Sequence, residues 1–383
     1  MTAQITSPEM LRHLVGFPTV SRMSNLDLIG FVEGYLAGLG VASHRVADET
    51  GQKANLFATI GPADTPGVCL SGHTDVVPVD GQAWSDDPFA MVGRDGRLYG
   101  RGTVDMKGFV ATVLALVPEM LAAPLKTPIH LAFSYDEEVG CLGVRRLIAA
   151  LPVRPAMCIV GEPTGMAPVI AHKGKRSYRV EVTGFACHSS QAPRGVNAVD
   201  YAAELVCHLR RLAARLRSDG PFDAGFDPPH STVHTGTFAG GTALNIVPDR
   251  ASLEWEIRHL PDHDPAPIVA EVERLAREVL EPEMRATAPD CAIRSTEIIN
   301  YPGFAVPADA PVVALARNLS GANATAKVAY GTEAGLFQAA GIPTVVCGPG
   351  SIDQAHKPDE FIALDQIAAC ETFLRRLIRR LSD

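Results

Sequence analysis

The feature that most constrains the fold is an alternation of short apolar segments and longer helical segments in the first third of the sequence. Residues 68–71 and 157–160 form apolar runs, and apolar and polar residues alternate over 129–135. Residues 107–121 carry apolar side chains at helical spacing. This alternation predicts an α/β fold with a largely parallel sheet flanked by helices, in which functional residues lie at the carboxyl ends of the strands.

The pattern changes near residue 176. There the predicted order becomes strand, helix, strand, strand, helix, strand, at about residues 176–182, 196–216, 231–238, 251–258, 266–280 and 291–298. That order is typical of a ferredoxin-like antiparallel domain. After residue 301 the first pattern returns. We therefore expect a catalytic domain in two parts, residues 1–175 and 300–383, with an α+β lid and dimerisation domain inserted at 176–299.

Composition excludes several classes of function. The chain of 383 residues has a net charge of -9, which argues against a nucleic-acid partner because phosphates require a basic surface. No apolar run is long enough to cross a membrane, and no signal peptide is evident at the N-terminus. Eight scattered cysteines without a Cys-x-x-Cys pair predict free thiols in a reducing compartment. We therefore expect a cytoplasmic protein.

Potential metal ligands lie where predicted strands or glycine-rich loops end. They are His73, Asp75, Asp105, Glu137, Glu138, Glu162 and His356. His73 and Asp75 are two residues apart and therefore point to the same side of an extended backbone. The two histidines combined with three of the five carboxylates suit zinc or cobalt better than calcium. One bridging carboxylate with two further ligands on each side would hold two ions.

Four motifs carry a resemblance over nearly the whole chain. They are Ser71-Gly72-His73-Thr74-Asp75-Val76-Val77-Pro78, Gly100-Arg101-Gly102 through Lys107-Gly108, Asp136-Glu137-Glu138 and Gly161-Glu162-Pro163-Thr164. Together they resemble the di-zinc peptidase and deacylase superfamily of acetylornithine deacetylase, succinyl-diaminopimelate desuccinylase, aminoacylase and glutamate carboxypeptidase. The resemblance implies a zinc-exopeptidase-like fold and hydrolysis of an amide bond.

The resemblance also implies a role for each ligand. Asp105 would bridge two Zn²⁺ ions, for which Co²⁺ can substitute, and the peptide bond after Asp105 would be cis. His73 and Glu162 would complete one site. Glu138 and His356 would complete the other. Asp75 would orient the imidazole of His73 without binding a metal.

Three further assignments follow from the matching positions. The implied metal ligands do not include Glu137. Its carboxylate suits a general base, which accepts a proton from water and delivers it to the leaving amine. His188, in a small-residue loop, would polarise the scissile carbonyl. Asn245 and Arg258 would hold the substrate, with Arg258 suited to two parallel hydrogen bonds to an α-carboxylate.

Smaller signals bear on the substrate, a small N-acyl-L-amino acid. Gly161-Glu162-Pro163-Thr164, His172-Lys173-Gly174 and Gly331-Thr332-Glu333-Ala334 look most like acetylornithine deacetylases, which serve arginine biosynthesis. The arginine that desuccinylases carry next to the last motif is absent. Glu333 either faces a cationic side chain such as that of ornithine or lies on a helix surface.

Other functions remain open on the sequence. A desuccinylase, a general aminoacylase or a carboxypeptidase of the same superfamily would have the same site chemistry. A metal-free binding protein on the same fold would have lost a ligand or the base, and none is lost. A serine amidase is not favoured, because no Gly-x-Ser-x-Gly motif is present.

The resemblance finally implies a homodimer in which the lid histidine acts in the partner's site. Residues 176–182 are a candidate edge strand, and the helix at 196–216 carries more apolar residues than one small sheet face requires. An exposed strand edge and an apolar helix face are surfaces that a symmetric pair can bury.

Overall fold

The computed structural model describes residues 5–383, which divide into two compact units. Unit 1 extends to Ala171 and includes Phe304–Lys327 and Thr332–Asp383, and unit 2 comprises His172–Gly303 and Val328–Gly331. The sequence assigns residues 328–331 to the catalytic domain instead. They belong to unit 2 because Gly331 lies directly against the ring of Tyr301, leaving no room for a side chain.

The strands within residues 5–383 are numbered in chain order. They are β1 (Ser43–Ala47), β2 (Ala54–Ile60), β3 (Val68–His73), β4 (Val92–Arg94), β5 (Arg97–Tyr99), β6 (Ile129–Ser134), β7 (Met157–Pro163), β8 (Val169–His172), β9 (Gly174–Thr183), β10 (Thr232–Gly240), β11 (Arg250–His259), β12 (Ala292–Tyr301), β13 (Phe304–Ala305), β14 (Ala326–Val328), β15 (Thr344–Gly348) and β16 (Phe361–Ala363).

The helices are numbered in the same way. They are α1 (Ser7–Val15), α2 (Leu26–Gly38), α3 (Lys107–Ala115), α4 (Val117–Ala122), α5 (Leu142–Ala149), α6 (Ala198–Asp219), α7 (Ala266–Arg274), α8 (Glu281–Thr287), α9 (Pro311–Ser320), α10 (Ala334–Ala339) and α11 (Leu364–Ser382). Short 3-10 turns span Ser189–Arg194 and Ile352–Gln354, and a π-helical turn, Leu275–Leu280, joins α7 to α8. The predicted helix at 107–121 is divided into α3 and α4 before Pro118.

Unit 1 is built on a large mixed sheet of order β1-β2-β6-β3-β7-β15-β8-β13, with β14 paired to β8. Its four central strands, β6, β3, β7 and β15, are parallel. Strand β1 pairs antiparallel with β2, β2 with β6, and β8 with β15. The central strands are almost wholly buried, as expected for parallel strands covered on both faces. A small sheet of order β16-β5-β4 accompanies it. The predicted α/β class with a largely parallel sheet is confirmed.

Helix α3 lies close against the central strands because two glycines face it. A Cβ atom at Gly72 of β3 would lie 2.9 Å from the Met106 side chain, and one at Gly161 of β7 would lie 2.1 Å from the ring of Phe109. Neighbouring residues of a strand point to opposite faces. Ser71 and His73 therefore face the other side of the sheet, where α5 and α10 pack.

Unit 2 has the predicted β-α-β-β-α-β order. Its antiparallel sheet runs β10-β11-β9-β12, and α6 to α8 cover one face of it through a separate apolar core. The expectation that residues 176–182 form an edge strand is wrong, since β9 lies between β11 and β12 and the edges are β10 and β12. The apolar side of α6 packs into the core of its own unit, so it is not surplus surface.

No helix within residues 5–383 combines the length and hydrophobicity needed to cross a lipid bilayer.

Candidate metal centre

The carboxyl ends of the four parallel strands meet at one edge of the unit 1 sheet. His73 is the last residue of β3, and Glu162 is the penultimate residue of β7. Glu137 and Glu138 follow β6, and His356 lies in the loop after β15. The topology therefore brings together ligands that are far apart in sequence, at the edge where open α/β sheets bind ligands.

The first group of ligand atoms comprises His73, Asp105 and Glu162, all buried. The His73 Nε2 atom lies 3.1 Å from Asp105 Oδ1 and 3.9 Å from Glu162 Oε1. On its other side, His73 Nδ1 lies 2.9 Å from the main-chain carbonyl oxygen of Asp75. A carbonyl can only accept, so Nδ1 carries a proton, and in the neutral imidazole the lone pair of Nε2 faces the group.

The second group comprises Asp105, Glu138 and His356. The His356 Nε2 atom lies 3.2 Å from Asp105 Oδ2 and 3.2 Å from Glu138 Oε2. The two groups thus share Asp105, whose two oxygen atoms face different histidines. The peptide bond between Asp105 and Met106 is cis, which confirms the prediction made from the resemblance.

The electrostatics of this edge suit divalent cations. Desolvation raises the pKa of Glu137, Glu138 and Glu162 above their usual range, and the charge of Asp105 adds to the shift at Glu138 and Glu162. Hydrogen bonds to Asp105 and Glu138 raise the pKa of His356 to about 10. So many acidic groups in a poorly hydrated place repel one another unless cations or protons lie between them. The donor set of imidazole and carboxylate matches zinc or cobalt.

Asp75 holds the loop of the two glutamates as well as His73. Its carboxylate accepts hydrogen bonds from the main-chain N–H of Glu137 at 3.0 Å, the N–H of Glu138 at 3.3 Å and the hydroxyl of Ser21 at 2.7 Å. The carboxylate itself is 3.5 Å from His73 Nδ1, farther than the main-chain oxygen. Asp75 therefore positions His73 mainly through its backbone, and its side chain fixes the segment that follows β6.

Glu137 belongs to neither ligand group. Its carboxylate accepts a hydrogen bond from the thiol of Cys141 at 3.5 Å. Desolvation is the main cause of its raised pKa, opposed by His73 and reinforced by Glu138. A carboxylate beside two potential metal sites, with a pKa raised above its ordinary value, is suited to accept and return a proton.

Glu333 is buried, which excludes the alternative that it lies on a helix surface. It is 1% exposed at the start of α10, and its carboxylate accepts hydrogen bonds from Ser71 and Ser134. No lysine or arginine of the described residues forms an ion pair with it. Burial raises its pKa to about 7. Ser71 lies two residues before His73 on the same face of β3. Glu333, which accepts a hydrogen bond from Ser71, therefore lies on the same face of the sheet as His73.

The remaining candidate residues lie in unit 2. His188 is exposed, and its Nδ1 accepts a hydrogen bond from the main-chain N–H of Ser190 at 3.2 Å. In neutral imidazole the proton is then on Nε2. Asn245 is exposed, and its main-chain carbonyl oxygen accepts a hydrogen bond from the main-chain N–H of Ser189. Arg258, in β11, donates to Glu256 and to the hydroxyl of Tyr301.

Sequence reasoning missed one ion pair that bears on the site. Arg101 and Glu360 are both 1% exposed and pair at 2.6 Å. Glu360 follows His356 by four residues, and Arg101 lies four residues before Asp105. The Gly100-Arg101-Gly102 motif marks Arg101 in the sequence, but only the fold shows that Glu360 is its partner.

An α/β fold with two ligand groups that share one carboxylate is typical of dinuclear metallohydrolases. The model of the family described as Peptidase family M20/M25/M40 matches residues 69–380. The chain belongs to this family, and it is a hydrolase whose site residues can hold metal.

Curated relatives agree with this assignment, and solved structures share the fold. Acetylornithine deacetylase of Proteus mirabilis (strain HI4320) is 37% identical over 379 residues, covering 97% of this chain and 95% of the relative. The enzyme of the same name from Shigella sonnei (strain Ss046) is 35% identical and covers 92% of each. Among structures, the M20 family metallo-carboxypeptidase Sso-CP2 from Sulfolobus solfataricus has a TM-score of 0.76 at 18% identity, covering 98% of this chain and 99% of that one. The dinuclear metal-binding peptidase YXEP of Bacillus subtilis has a TM-score of 0.66 at 15% identity, covering 97% and 96%.

Proposed function

We propose that this protein removes the acyl group of an N-acyl-L-amino acid by metal-dependent hydrolysis, and that its substrate is N-acetyl-L-ornithine, which gives L-ornithine and acetate for arginine biosynthesis. One observation carries the chemistry. Two ligand groups share Asp105, while the nearby carboxylate of Glu137 belongs to neither group and is free for proton transfer.

The proposed cofactor is a pair of Zn²⁺ ions, with Co²⁺ as an active substitute. His73, Asp105 and Glu162 would hold one ion, and Asp105, Glu138 and His356 the other. Two such cations would polarise the amide carbonyl and lower the pKa of water toward about 7.

Glu137 is the proposed general base and acid. Its carboxylate would accept a proton from the attacking water and deliver that proton to the amine nitrogen as the C–N bond breaks. Asp75 would keep this carboxylate in place through the hydrogen bond from the Glu137 N–H. His73 needs the Nδ1-protonated tautomer to bind a cation through Nε2, and the Asp75 carbonyl favours that tautomer.

Three residues of unit 2 are proposed to act on the substrate. The hydrogen bond from Ser190 leaves the Nε2–H of His188 free to donate to the carbonyl oxygen, as a residue that stabilises an oxyanion must. Arg258 is the proposed partner of the α-carboxylate. Asn245 is proposed to hold the substrate through its exposed amide.

Ornithine is preferred over other amino acids for two reasons. The relatives with 35% and 37% identity carry the name acetylornithine deacetylase. Glu333 is also a buried carboxylate that no cation of the described residues pairs with, so a cationic substrate side chain would relieve the free-energy cost of burying it. A succinyl group would require a cation near residue 333, and the adjacent positions are Gly335, Leu336 and Phe337.

We also propose that the protein is a cytoplasmic homodimer in which His188 serves the partner's site. Apolar side chains beside His188 support an interface in unit 2. Ile246 pairs with His188 in a β-bridge and is 42% exposed, while Leu244 and Phe185 are 101% and 51% exposed. Exposed apolar groups of this size are typical of association surfaces.

A hydrolysis panel tests the proposed function. Enzyme loaded with Zn²⁺ or Co²⁺ would be assayed with N-acetylornithine, N-acetylmethionine, N-succinyl-diaminopimelate and a dipeptide. We expect the highest kcat/KM for N-acetylornithine. Preference for the succinyl compound would identify a desuccinylase, and preference for the dipeptide a peptidase. Preference for acetylmethionine would identify a general aminoacylase. Binding of an acyl amino acid without turnover by metal-loaded protein would favour the binding-protein alternative.

A further inference from the structure

The buried pair of Arg101 and Glu360 connects two of the candidate ligands. One carboxylate oxygen of Glu360 accepts hydrogen bonds from the main-chain N–H groups of Val104, at 3.0 Å, and Asp105, at 3.3 Å. Its other oxygen accepts from Arg101 Nη1 at 2.6 Å. The main-chain carbonyl of Glu360 also accepts from the N–H of Gly100 at 2.9 Å. Glu360 therefore holds the backbone of the loop that carries Asp105.

The same arginine extends the connection to His356. Arg101 Nη2 donates to the side-chain carbonyl of Gln82 at 2.6 Å, and Gln82 Nε2 donates to the main-chain carbonyl of His356 at 3.1 Å. The indole N–H of Trp84 donates to the same Gln82 oxygen at 3.1 Å, and the Trp84 ring lies 5.0 Å from the guanidinium carbon. These contacts fix the orientation of Gln82.

This arrangement matters more for one ligand group than for the other. His73 and Glu162 lie on strands β3 and β7, and the sheet fixes their positions. His356 lies in a loop, has a φ angle of +61° and is exposed. Its distance from Asp105 therefore depends on whatever ties the two loops together. The chain of hydrogen bonds through Glu360, Arg101 and Gln82 ties the two loops together, and Arg101 Nη1 adds a longer contact of 3.4 Å to the main-chain carbonyl of Lys357.

We propose that Glu360, Arg101 and Gln82 form a positioning network that sets the cation affinity of the second ligand group, Asp105, Glu138 and His356, without touching the cation or the substrate. The inference rests on the proposed two-cation site. A pair of ligands already held about 3 Å apart binds a cation without the cost of ordering a loop, and partners behind ligands contribute about 10- to 100-fold in metal affinity.

The test is a titration of metal-free protein with Zn²⁺ by calorimetry, supported by metal content after dialysis. Wild-type protein should bind two ions. Glu360→Gln replaces an acceptor oxygen by an amide group that faces the Arg101 donor, so we expect the affinity of the second group to fall about 10- to 100-fold. The affinity of the first group, which shares Asp105 but takes its other ligands from strands, should fall by a clearly smaller factor. His356→Ala should lower the same affinity, which identifies the affected group.

Gln82→Leu is the second variant, and it tests the network even if Glu360→Gln does not fold. It leaves the buried ion pair intact and removes the hydrogen bonds of Gln82 with Arg101, Trp84 and the His356 carbonyl. It should weaken the same ion by a smaller factor and leave the thermal midpoint of the metal-free protein near that of wild type. Asp86→Asn is the matched control, because it breaks the exposed ion pair with Arg94 in the same region of the chain. It should leave both affinities unchanged.

The outcomes separate this inference from the proposed function. If wild-type protein binds fewer than two ions, the two-cation proposal fails. If it binds two, and a folded Glu360→Gln protein or Gln82→Leu protein binds both with wild-type affinity, the positioning network is refuted. Equal weakening of both ions would also refute it, because the network would then support the whole site and not the second group.

Discussion

The carboxylate of Asp75 accepts a hydrogen bond at 3.0 Å from the main-chain N–H of Glu137, while the Asp75 carbonyl oxygen lies 2.9 Å from His73 Nδ1. One residue thus orients a candidate ligand and the candidate base at the same time. The contact joins the ends of β3 and β6, which are neighbouring parallel strands. The side chain of Glu137 therefore remains free for chemistry, because the backbone that carries it is fixed from behind.

The first prediction concerns this base. Glu137→Ala should keep two bound ions and reduce kcat by several orders of magnitude, since each of the two proton transfers is worth about 10²–10⁴. Steady-state hydrolysis of N-acetylornithine and metal analysis of the same sample check it. His73→Ala is the comparison, because it should lose metal together with activity. Loss of metal in Glu137→Ala, in proportion to activity, would make Glu137 a ligand instead.

The second prediction concerns selectivity. Glu333→Gln removes the negative charge and keeps a hydrogen-bonding side chain of the same size beside Ser71 and Ser134. We expect kcat/KM to fall more for N-acetylornithine than for N-acetylmethionine, because only ornithine carries a cationic side chain. Equal reductions for both substrates would mean that Glu333 supports β3 and β6 and does not select the substrate.

The third prediction concerns the proposed dimer. Glu137→Ala and His188→Ala proteins should each be inactive, and mixing them should restore part of the activity if His188 serves the partner's site. A mixed dimer then has one site with both residues intact. Subunit exchange is followed with differently labelled chains. Complete exchange without recovery of activity would contradict action in the partner's site.

The fourth prediction concerns stability and pH. Burial lowers the pKa of His130 to about 4, from about 6.5 in an unfolded chain. Its ring lies 5.4 Å from that of Phe57 in β2, and its Nδ1 lies 2.9 Å from the hydroxyl of Thr59. Between these pH values the unfolded chain binds a proton that the folded protein does not. His130 therefore makes the folded state lose stability as the pH falls from about 6.5 to about 4.

Thermal midpoints of wild type and His130→Gln between pH 7.5 and 4, at about 0.5-unit steps, check this expectation. The difference in thermal midpoint between the two proteins should change across this pH range, because the variant lacks the titrating group and should lose less stability in acid. Thr59→Val is the control, because it removes the hydroxyl and keeps the imidazole. A constant difference between wild type and His130→Gln would show that His130 does not contribute to the acid sensitivity.

Much of the fold and of the site could be predicted from sequence because the signals are local. Apolar periodicity identified β3, β6, β7 and the helical segment of α3 and α4 in unit 1 and the six main elements of unit 2, and the strand ends identified His73, Glu137, Glu138 and Glu162. These side chains meet because parallel strands end at one edge of a sheet. Family resemblance added the pairing of ligands around Asp105, and the structure brings the same residues into two groups.

Only the tertiary structure decided the sheet order, the burial and the long-range partners. Strand periodicity does not say which strands are neighbours, so β9 was expected at an edge and lies inside its sheet. A carboxylate at the start of a helix has no local sign of burial, so the sequence does not decide between a surface position and a site position for Glu333. Its hydrogen bonds with Ser71 and Ser134, on distant strands, show that it is buried. The ion-pair partner of Arg101 is Glu360, which is 259 residues away in the sequence. Pairings of this kind form only when distant segments pack together, because the free energy of excluding water from charges depends on the surrounding fold and not on the neighbouring residues in the chain.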